Sequence, residues 1–387
     1  MLCGVKIHRV AVVGCGALAR HVHLPNIRKN SRMKLVAACD MDVAAAESAR
    51  ADFGAERAET DWRKVVAAKD VDLCVLSTHT NLRGEFIIPA LESGKAVYTE
   101  KPLAPSLEDM RAIVRASRAT GRAVCVGHNR RSSPAMLEFR RLLEKARRGP
   151  RGTTPSMDRS EGRAHLPEED QMQLLIRIND DARSWKHWIF SDAEGILFAE
   201  MVHYIDLALW FNAAPAVRAY VEGKAIGNFG VVLRFADGST TLMHHTLVGN
   251  FDYPKELFEA TANNITVAMD QHFEVRQIGM RDEPTLRVFD YASESSWAKR
   301  KGMTGYMAEQ EEEARRAAAE KRPTRWINVN KGHSEHLDRF LDHLEGRGEN
   351  PCSVESAVPV TRVALRLLES SASGLPVKIS PDDLAVG

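Results

Sequence analysis

The stretch HRVAVVGCGALA, residues 8–19, decides the fold of the first part of the chain. An apolar run ends at its first glycine, and a G-x-G-x-x-A pattern follows through Gly14, Cys15, Gly16, Ala17, Leu18 and Ala19. This pattern is typical of a tight strand-to-helix turn whose second glycine has no side chain, so that a pyrophosphate can approach the backbone. The next helix then presents unpaired N–H groups to the phosphates. We predict a dinucleotide-binding turn, with a purely structural turn as the alternative.

Strands and helices alternate from this turn onward. The predicted strands are 8–14, 34–40, 71–78, 96–100 and 123–128, and the predicted helices are 16–30, 42–53, 61–67, 82–94 and 106–120. Strands that are apolar throughout, each followed by a helix, predict a parallel sheet covered on both faces. The fold class of this part is therefore α/β, a doubly wound Rossmann domain over residues 1–127.

Asp40 ends the second predicted strand and indicates which cofactor binds. A carboxylate there can accept hydrogen bonds from the ribose hydroxyls of NAD and would repel a 2′-phosphate. The residues directly after it, Met41, Asp42 and Val43, are not basic. NAD is therefore favoured, and NADP stays open because Arg20 or an arginine from a loop could reach the same place.

Composition narrows the class of protein. The 387 residues suit two domains, and 53 Lys and Arg against 52 Asp and Glu give a net charge of +1. This balance excludes a protein driven by bulk attraction to nucleic acid or to an anionic membrane. No transmembrane run and no signal peptide are expected. The six cysteines form no C-x-x-C pair, which is typical of a reducing compartment and favours a cytoplasmic protein.

A lysine follows the fourth predicted strand, in Thr99-Glu100-Lys101-Pro102. The carboxyl end of a parallel strand points into the crevice where such sheets bind ligands, and the proline restricts Lys101 to an extended backbone. Together with the glycine pattern, Asp40 and the segment STHTN at 77–81, this sequence resembles the Gfo/Idh/MocA oxidoreductases, the glucose–fructose oxidoreductase and inositol dehydrogenase family.

The resemblance continues over nearly the whole chain. Its further segments are GHNRR at 127–131, HWI at 187–189 followed by Gly195, MVHYID at 201–206 with an H-x-x-D pattern, and PKE at 254–256. The polar tract 145–169 lies outside it and is interpreted as an exposed loop. The chain departs from the family pattern at His79, where proline is usual, at Arg83, where histidine is frequent, and at Ala199, where many members have aspartate. These departures bear on the substrate.

The resemblance implies a second domain over residues 128–387 with a large, mostly antiparallel open sheet that joins copies of the chain into a dimer or tetramer. Period-two alternation is clearest between 221 and 246. A charged helix is predicted at 307–325, and amphipathic helices at 333–346 and 354–373, which we expect to pack between the domains. The implied cofactor residues are Gly14, Cys15, Gly16, Ala17, Leu18, Asp40, Ser77, Thr78, Asn81, Glu100 and Lys101.

Three polar residues recur at intervals of three in an otherwise apolar predicted helix, as Glu200, His203 and Asp206. Residues three apart share a helix face, so we expect the trio to converge on a polar cleft beside Lys101. Two alternatives stay open: groups satisfied within the fold, and a metal site, which we do not predict. Arg130 and Trp188 are further candidates for the substrate pocket.

The predicted chemistry is hydride transfer between C4 of a nicotinamide and a secondary alcohol or keto carbon of a sugar, inositol or glycoside. A free imidazole titrates near pH 6.5, which suits a general base, so His203 is assigned as acid/base. Lys101 would hydrogen-bond the reacting oxygen and stabilise an alkoxide. Two rivals remain: an NAD-dependent glycosidase acting by transient oxidation, elimination and re-reduction, and a non-catalytic dinucleotide-binding sensor.

Overall fold

The computed structural model describes residues 6–152, 171–185 and 195–385, and the chain forms two compact units. Within the described residues, the first unit runs to His128 and resumes over His333–Thr361. The second comprises Asn129–Gly332 and Arg362–Leu384. The first stretch of the first unit ends at His128, next to the domain boundary predicted between residues 127 and 128.

The first unit is built on a parallel sheet. Its strands are β1 (His8–Val13), β2 (Met33–Cys39), β3 (Arg57–Glu59), β4 (Leu73–Leu76), β5 (Ala96–Thr99) and β6 (Val124–Val126). They lie in the order β3-β2-β1-β4-β5-β6 and every neighbouring pair is parallel. This is the strand order of a doubly wound dinucleotide-binding sheet, so the predicted fold is confirmed. The short strand β3 was not predicted.

Helices follow these strands as the sequence predicts. A π-helical turn (Ala19–His23) leads into α1 (Leu24–Lys29), and then come α2 (Val43–Phe53), α3 (Trp62–Ala67), α4 (Leu82–Glu92) and α5 (Leu107–Thr120). Three of them begin with a side-chain cap: Asp42, Asp61 and Ser106 each accept a hydrogen bond from a backbone N–H in the first turn. Such caps satisfy amides that a helix start otherwise leaves unpaired.

The second unit contains a large, mostly antiparallel sheet. Its strands in the described residues are β7 (Gln173–Asn179), β8 (Ala216–Gly223), β9 (Phe229–Phe235), β10 (Thr240–Thr246), β11 (Glu256–Ala262), β12 (Ile265–Asp270), β13 (Glu274–Ile278), β14 (Leu286–Val288) and β15 (Val377–Lys378). Their order is β14-β13-β12-β11-β7-β10-β9-β8-β15. Only the pairing of β7 with β10 is parallel in this part of the structure. The predicted open antiparallel sheet is confirmed.

The two faces of this sheet differ in what covers them. Helix α6 (Pro134–Arg148) packs on β11, β12 and β13, where the ring of Phe139 lies 6.2 Å from that of Phe258. Side chains of the opposite face, such as Leu175, Leu242 and Ile278, are 40%, 48% and 65% exposed. Alternation along each strand therefore gives one buried and one open face.

The predicted helix around Glu200 is two helices. Helix α7 (Gly195–Ala199) ends at a turn formed by Glu200 and Met201, and α8 (Val202–Phe211) begins after it. The predicted charged helix is α9 (Gly302–Ala319), which starts and ends earlier than expected. No helix in the described ranges is both long and apolar enough to cross a membrane.

Helix α10 (His333–Leu344) belongs to the first unit, although the sequence placed it in the second domain. Its Leu337, Phe340 and Leu341 are buried in one core cluster with Tyr98 of β5. The unit division then falls within α11 (Val354–Ser373), after Thr361, and a short helix α12 (Pro381–Leu384) follows. The sequence could not show this, because an amphipathic pattern shows that a helix has an apolar face but not which hydrophobic core that face packs against.

Candidate functional site

Two glycines of the first unit shape the turn after β1, called the cofactor turn below (residues 14–19 with Asp40). Gly14 has φ of +90°, and a Cβ there would lie 2.3 Å from the carbonyl oxygen of Ser77, so only glycine fits. A Cβ on Gly16 would meet no atom within 4 Å. The space in front of Gly16 is therefore open, as a pyrophosphate lying against the backbone requires.

Asp40 lies at the carboxyl end of β2, directly beside this turn. Its Oδ2 accepts a hydrogen bond of 2.8 Å from the Cys15 N–H, and its Oδ1 accepts one of 3.0 Å from the Asp42 N–H. Burial raises the pKa of the Cys15 thiol to about 12, so Cys15 contributes its backbone rather than a reactive sulfur. The carboxylate is thus held at the turn, where the ribose of a dinucleotide is expected.

The other predicted turn residues also suit a dinucleotide. Ala17 and Leu18 are exposed after Gly16, and the helical turn that begins at Ala19 is buried on its inner side. The guanidinium of Arg20 forms an ion pair with Asp52 of α2. Arg20, one of the arginines that kept NADP open, therefore already has a carboxylate partner.

Residues 77–81 bring the loop after β4 to the same edge of the sheet. Ser77 donates its N–H to the Val13 carbonyl over 2.8 Å, and Ser77 and Thr78 are half-buried. Asn81 is exposed at the start of α4, and its side chain makes no capping hydrogen bond. Ser77 and Thr78 lie directly beside Gly14 of the cofactor turn, and contact of Ser77, Thr78 and Asn81 with the nicotinamide half stays a prediction.

Glu100 has an internal partner. Its carboxylate is buried, and Oε1 lies 2.8 Å from Nε2 of His23. Burial raises the pKa of this carboxyl, but the His23 hydrogen bond and the charges of His23 and Lys101 outweigh burial and lower it to about 2. A Cβ on Gly127 would lie 3.1 Å from Glu100 Oε1. Glu100 is thus a buried, ionised carboxylate in the residue directly before Lys101.

Lys101 follows β5 and is half-buried, and its peptide bond to Pro102 is cis. Arg83 of α4 donates through Nη2 to the Lys101 carbonyl over 3.1 Å and to the Thr78 carbonyl over 3.4 Å. Burial lowers the pKa of Arg83 to about 10, which leaves it charged at neutral pH. Arg83, noted in the sequence only as a departure from the family pattern, therefore ties two loops of this edge together.

A dense group of charged side chains occupies the second unit. This ionic cluster consists of Arg130, Asp180, Glu200, Lys255, Glu256 and Lys331. Arg130 is buried and grips Glu256 with two hydrogen bonds, Nε to Oε2 at 3.1 Å and Nη2 to Oε1 at 2.8 Å. Burial alone would lower the pKa of Arg130, but Glu256 raises it. A guanidinium bound in this bidentate way is fixed in position.

Lys255 and Lys331 complete the cluster. The Nζ of Lys255 lies 3.1 Å from Glu200 Oε1 and 2.9 Å from Asp180 Oδ2. The Nζ of Lys331 lies 2.7 Å from Glu256 Oε1. Burial lowers the pKa of Lys331, whereas for Lys255 the carboxylates outweigh burial and raise it. Three cations face three carboxylates, so the cluster is neutral overall.

Asp206 lies outside this cluster. It is buried on α8 and pairs with Arg131, whose Nε and Nη2 lie 2.9 Å and 2.5 Å from its two oxygens. His203, one turn earlier, is 6% exposed, and its N–H donates to the Glu200 carbonyl over 3.1 Å. Glu200, His203 and Asp206 therefore do not lie on one continuous helix. The carboxylates also have different partners, because Glu200 pairs with Lys255 and Asp206 pairs with Arg131.

Sequence reasoning missed several members of this arrangement. Asp180 and Lys331 had no signal, because each lies far along the chain from its partners. Lys255 and Glu256 were noted only as a motif. Trp188, a predicted substrate residue, lies outside the described residues, as do the rest of 187–189 and most of the tract 145–169.

Comparisons with known proteins agree with this geometry. Residues 8–128 match the model of the Gfo/Idh/MocA oxidoreductase family, described as an NAD-binding Rossmann fold. An inositol 2-dehydrogenase of Rhizobium meliloti is 26% identical over 260 residues, 64% of this chain and 72% of that protein. A 4-carboxy-2-hydroxymuconate-6-semialdehyde dehydrogenase of a Sphingobium species is 33% identical over 127 residues, 33% of this chain but only 40% of that relative's length.

Solved structures match over nearly the full length. An oxidoreductase from Agrobacterium radiobacter in complex with NAD+, L-tartaric acid and magnesium gives a TM-score of 0.75 at 17% identity, covering 96% of this chain and 98% of that one. The first unit is thus an NAD-binding Rossmann domain of the oxidoreductase type. Over residues 8–128 the chain is therefore similar to the Gfo/Idh/MocA family of oxidoreductases.

Proposed function

We propose that this protein is an NAD(H)-dependent dehydrogenase that transfers a hydride between nicotinamide C4 and a secondary hydroxyl or keto carbon of a sugar, inositol or related polyol. The observation that carries the proposal is the edge of the parallel sheet, where open space at Gly16, the held carboxylate of Asp40 and the half-buried Lys101 occur together. The names of relatives agree, since several are inositol 2-dehydrogenases and one is a D-apiose dehydrogenase.

NAD is the proposed cofactor. Its ribose hydroxyls would replace water at the Asp40 carboxylate, and its pyrophosphate would lie against Gly16 and the N–H groups of the following turn. A 2′-phosphate would meet the negative charge of Asp40, and Arg20 is already paired with Asp52. The bound nicotinamide supplies the hydride chemistry, while the protein orients the reacting carbon and manages one proton.

Two residues are proposed to manage the proton of the reacting hydroxyl group. His203 is proposed as the acid/base, because an imidazole titrates near neutral pH. Lys101 is proposed to donate a hydrogen bond to the reacting oxygen and to stabilise the alkoxide as the hydroxyl loses its proton. Glu100, ionised and enclosed beside Lys101, favours the charged ammonium that this role requires.

The ionic cluster supports a neutral, hydroxyl-rich substrate. Its three positive and three negative groups cancel, and the side chains of Lys331, Lys255 and Glu200 are its more accessible members, at 23%, 14% and 10% exposure. These groups offer both donors and acceptors to hydroxyls. Arg130 and Asp206, both predicted as substrate residues, are proposed to act through their ion pairs, which hold the neighbouring side chains in place.

A homo-oligomer is proposed through the open face of the large sheet. Leu175, Leu242 and Ile278 are exposed there, and a second copy would remove this apolar surface from water. Sedimentation of the protein alone and of a Leu242→Lys variant tests this: the variant is expected to dissociate. A wild-type monomer would contradict the proposal.

A panel of inositols, sugars and sugar acids, read by NADH absorbance at neutral pH, tests the activity. At least one polyol is expected to give NADH formation that His203→Ala reduces strongly. Cleavage of an aryl glycoside without net NADH would instead favour the NAD-dependent glycosidase. Binding of NAD without turnover of any compound, in either direction, would favour the sensor.

A further inference from the structure

A cavity of about 430 Å³ lies in the first unit, at the amino ends of the strands whose carboxyl ends carry the cofactor turn and Lys101. It is lined by residues just before β1, β4, β5 and β6, among them Lys6, Lys69, Asp72, Lys95 and Arg122. The volume is in the range of small-molecule sites. This basic cavity has no role in the proposed hydride transfer, because strand β5 separates Lys95 from Lys101.

Lys95 is the central feature of the basic cavity. It is only 3% exposed, it lines the cavity, and its backbone N–H donates to the Ala90 carbonyl over 3.0 Å. Among the described residues, none accepts a hydrogen bond from its ammonium group and none forms an ion pair with it. Because a charge with little access to water interacts more strongly with an opposite charge than an exposed one does, Lys95 is the cation of this cavity that an anion would contact most favourably.

The rim adds charge of the same sign. Lys6, Lys69 and Arg122 are exposed and form no ion pair with any residue that the structure describes. Several other basic side chains of this unit do have carboxylate partners: Arg57, for example, holds Asp70 at 2.8 Å. Unpaired cations therefore gather at this cavity in a chain whose net charge is only +1.

The two remaining ionisable side chains of the lining do not cancel this charge. His8 is engaged by Glu345, with Nε2 at 3.1 Å from Oε1. Asp72 accepts a hydrogen bond from the Arg9 N–H over 2.9 Å, and it is the single carboxylate among the lining residues. Four cations against one carboxylate leave the cavity strongly positive.

We propose that this basic cavity binds a small polyanion that carries a phosphoryl group, at a site separate from the cofactor turn. Lysine is a suitable point-charge ligand for phosphate oxygens. The buried Lys95 would contact the phosphoryl oxygens, and Lys6, Lys69 and Arg122 would neutralise the remaining charge. A neutral polyol would leave the ammonium of Lys95 without a counter-ion, so the ligand differs in chemistry from the proposed substrate.

Calorimetric titration of the full chain with inorganic pyrophosphate, in the presence of saturating NAD, tests the proposal. Saturation with NAD blocks the cofactor turn, which is the other phosphate-binding place in the first unit. The wild type is expected to bind one pyrophosphate, and Lys95→Gln is expected to bind it about tenfold more weakly or worse, the usual loss for a hydrogen bond to a charged group. Lys29→Gln, at an exposed lysine of α1, serves as the matched control and is expected to bind as the wild type does.

A second variant covers the case that Lys95→Gln does not fold. Lys69→Gln combined with Arg122→Gln changes exposed side chains alone, and it is expected to weaken binding about threefold or more and to reduce its dependence on salt. Wild-type affinity in both folded variants would overturn the proposal. So would wild-type binding that NAD abolishes, or binding of a single-stranded oligonucleotide in the absence of any binding of pyrophosphate.

Discussion

In the first unit, glycines and backbone N–H groups shape the cofactor turn, whereas in the second unit paired charged side chains form the ionic cluster. Gly14 is fixed by its φ of +90° and by its contact with the Ser77 carbonyl, and Asp40 is held by two backbone N–H groups. The cluster instead depends on partners such as Arg130 and Glu256, 126 positions apart in the sequence. One region is specified locally and the other by the tertiary fold.

This difference has consequences for what a single substitution does. In the turn, a change disturbs the backbone shape that a dinucleotide needs, and the neighbouring side chains keep their partners. In the cluster, a change removes one member of a buried pair and leaves its partner charged and unsatisfied. We therefore expect larger losses of stability from the cluster and more specific losses of cofactor binding from the turn.

Glu256→Ala is expected to have the largest effect on stability. It removes the carboxylate that Arg130 and Lys331 share, and breaking a buried ion pair costs about 3–5 kcal/mol. Denaturant unfolding measures the free energy of unfolding. Glu294→Ala is the control, because Glu294 is an exposed carboxylate of the same unit. Equal stability of the two variants would show that the cluster contributes little.

Gly14→Ala tests whether the backbone shape of the turn is as restrictive as the structure indicates. The new methyl group would meet the Ser77 carbonyl at 2.3 Å in a residue with φ of +90°, and we expect a loss of about 2–4 kcal/mol from strain and overpacking. Gly54→Ala provides the control, since Gly54 has φ of +78° but no atom within 4 Å of its added Cβ. The positive φ alone should cost about 1–2 kcal/mol. If both variants lose the same stability, the contact with Ser77 is unimportant.

Lys101→Ala separates chemistry from cofactor binding at the edge of the first unit. Loss of a group that assists proton transfer reduces turnover by about a hundredfold or more, while NAD binding should change little because the cofactor turn is intact. Steady-state kinetics on the polyol found in the substrate panel, together with NAD titration, measures both. Lys29→Ala is the control for removal of a lysine. Normal turnover of Lys101→Ala would remove Lys101 from the proposed mechanism.

The same contrast explains how much the sequence could predict. Most strands and helices of the first unit are located within a few residues, because apolar runs, Gly14 and the caps Asp42 and Ser106 are local signals. Strand β3 was missed since its three residues are all partly buried and lack an apolar run. The interruption at Glu200 was missed because the residues around it keep a helical apolar pattern.

The ionic cluster could not be predicted from spacing at all. The trio Glu200, His203 and Asp206 was expected to converge because residues three apart share a helix face. In the structure, cations from other elements determine which group each carboxylate contacts: Lys255 pairs with Glu200, and Arg131 pairs with Asp206. No periodicity in one segment reports which distant residue will pair with it. A single sequence therefore gives candidate residues for this site and not their partners.

Asp40→Asn is expected to give the smallest and most specific effect. The amide keeps one oxygen, which can still accept the Cys15 N–H, while the hydrogen bond from the Asp42 N–H and the negative charge are lost. Because a hydrogen bond from a ribose hydroxyl to a charged group contributes more than one to a neutral group, NAD should bind about tenfold more weakly. NADP should bind as well as before or better, because its 2′-phosphate no longer meets a carboxylate. The ratio of kcat/KM for NAD to that for NADP is the decisive quantity.

Asp42→Asn is the control, at the exposed residue that caps α2. It removes a nearby carboxylate without changing a side chain of the cofactor turn, and it should leave the ratio almost unchanged. An equal shift in the two variants would mean that general charge near the turn, rather than the carboxylate held at Cys15, sets the preference for NAD.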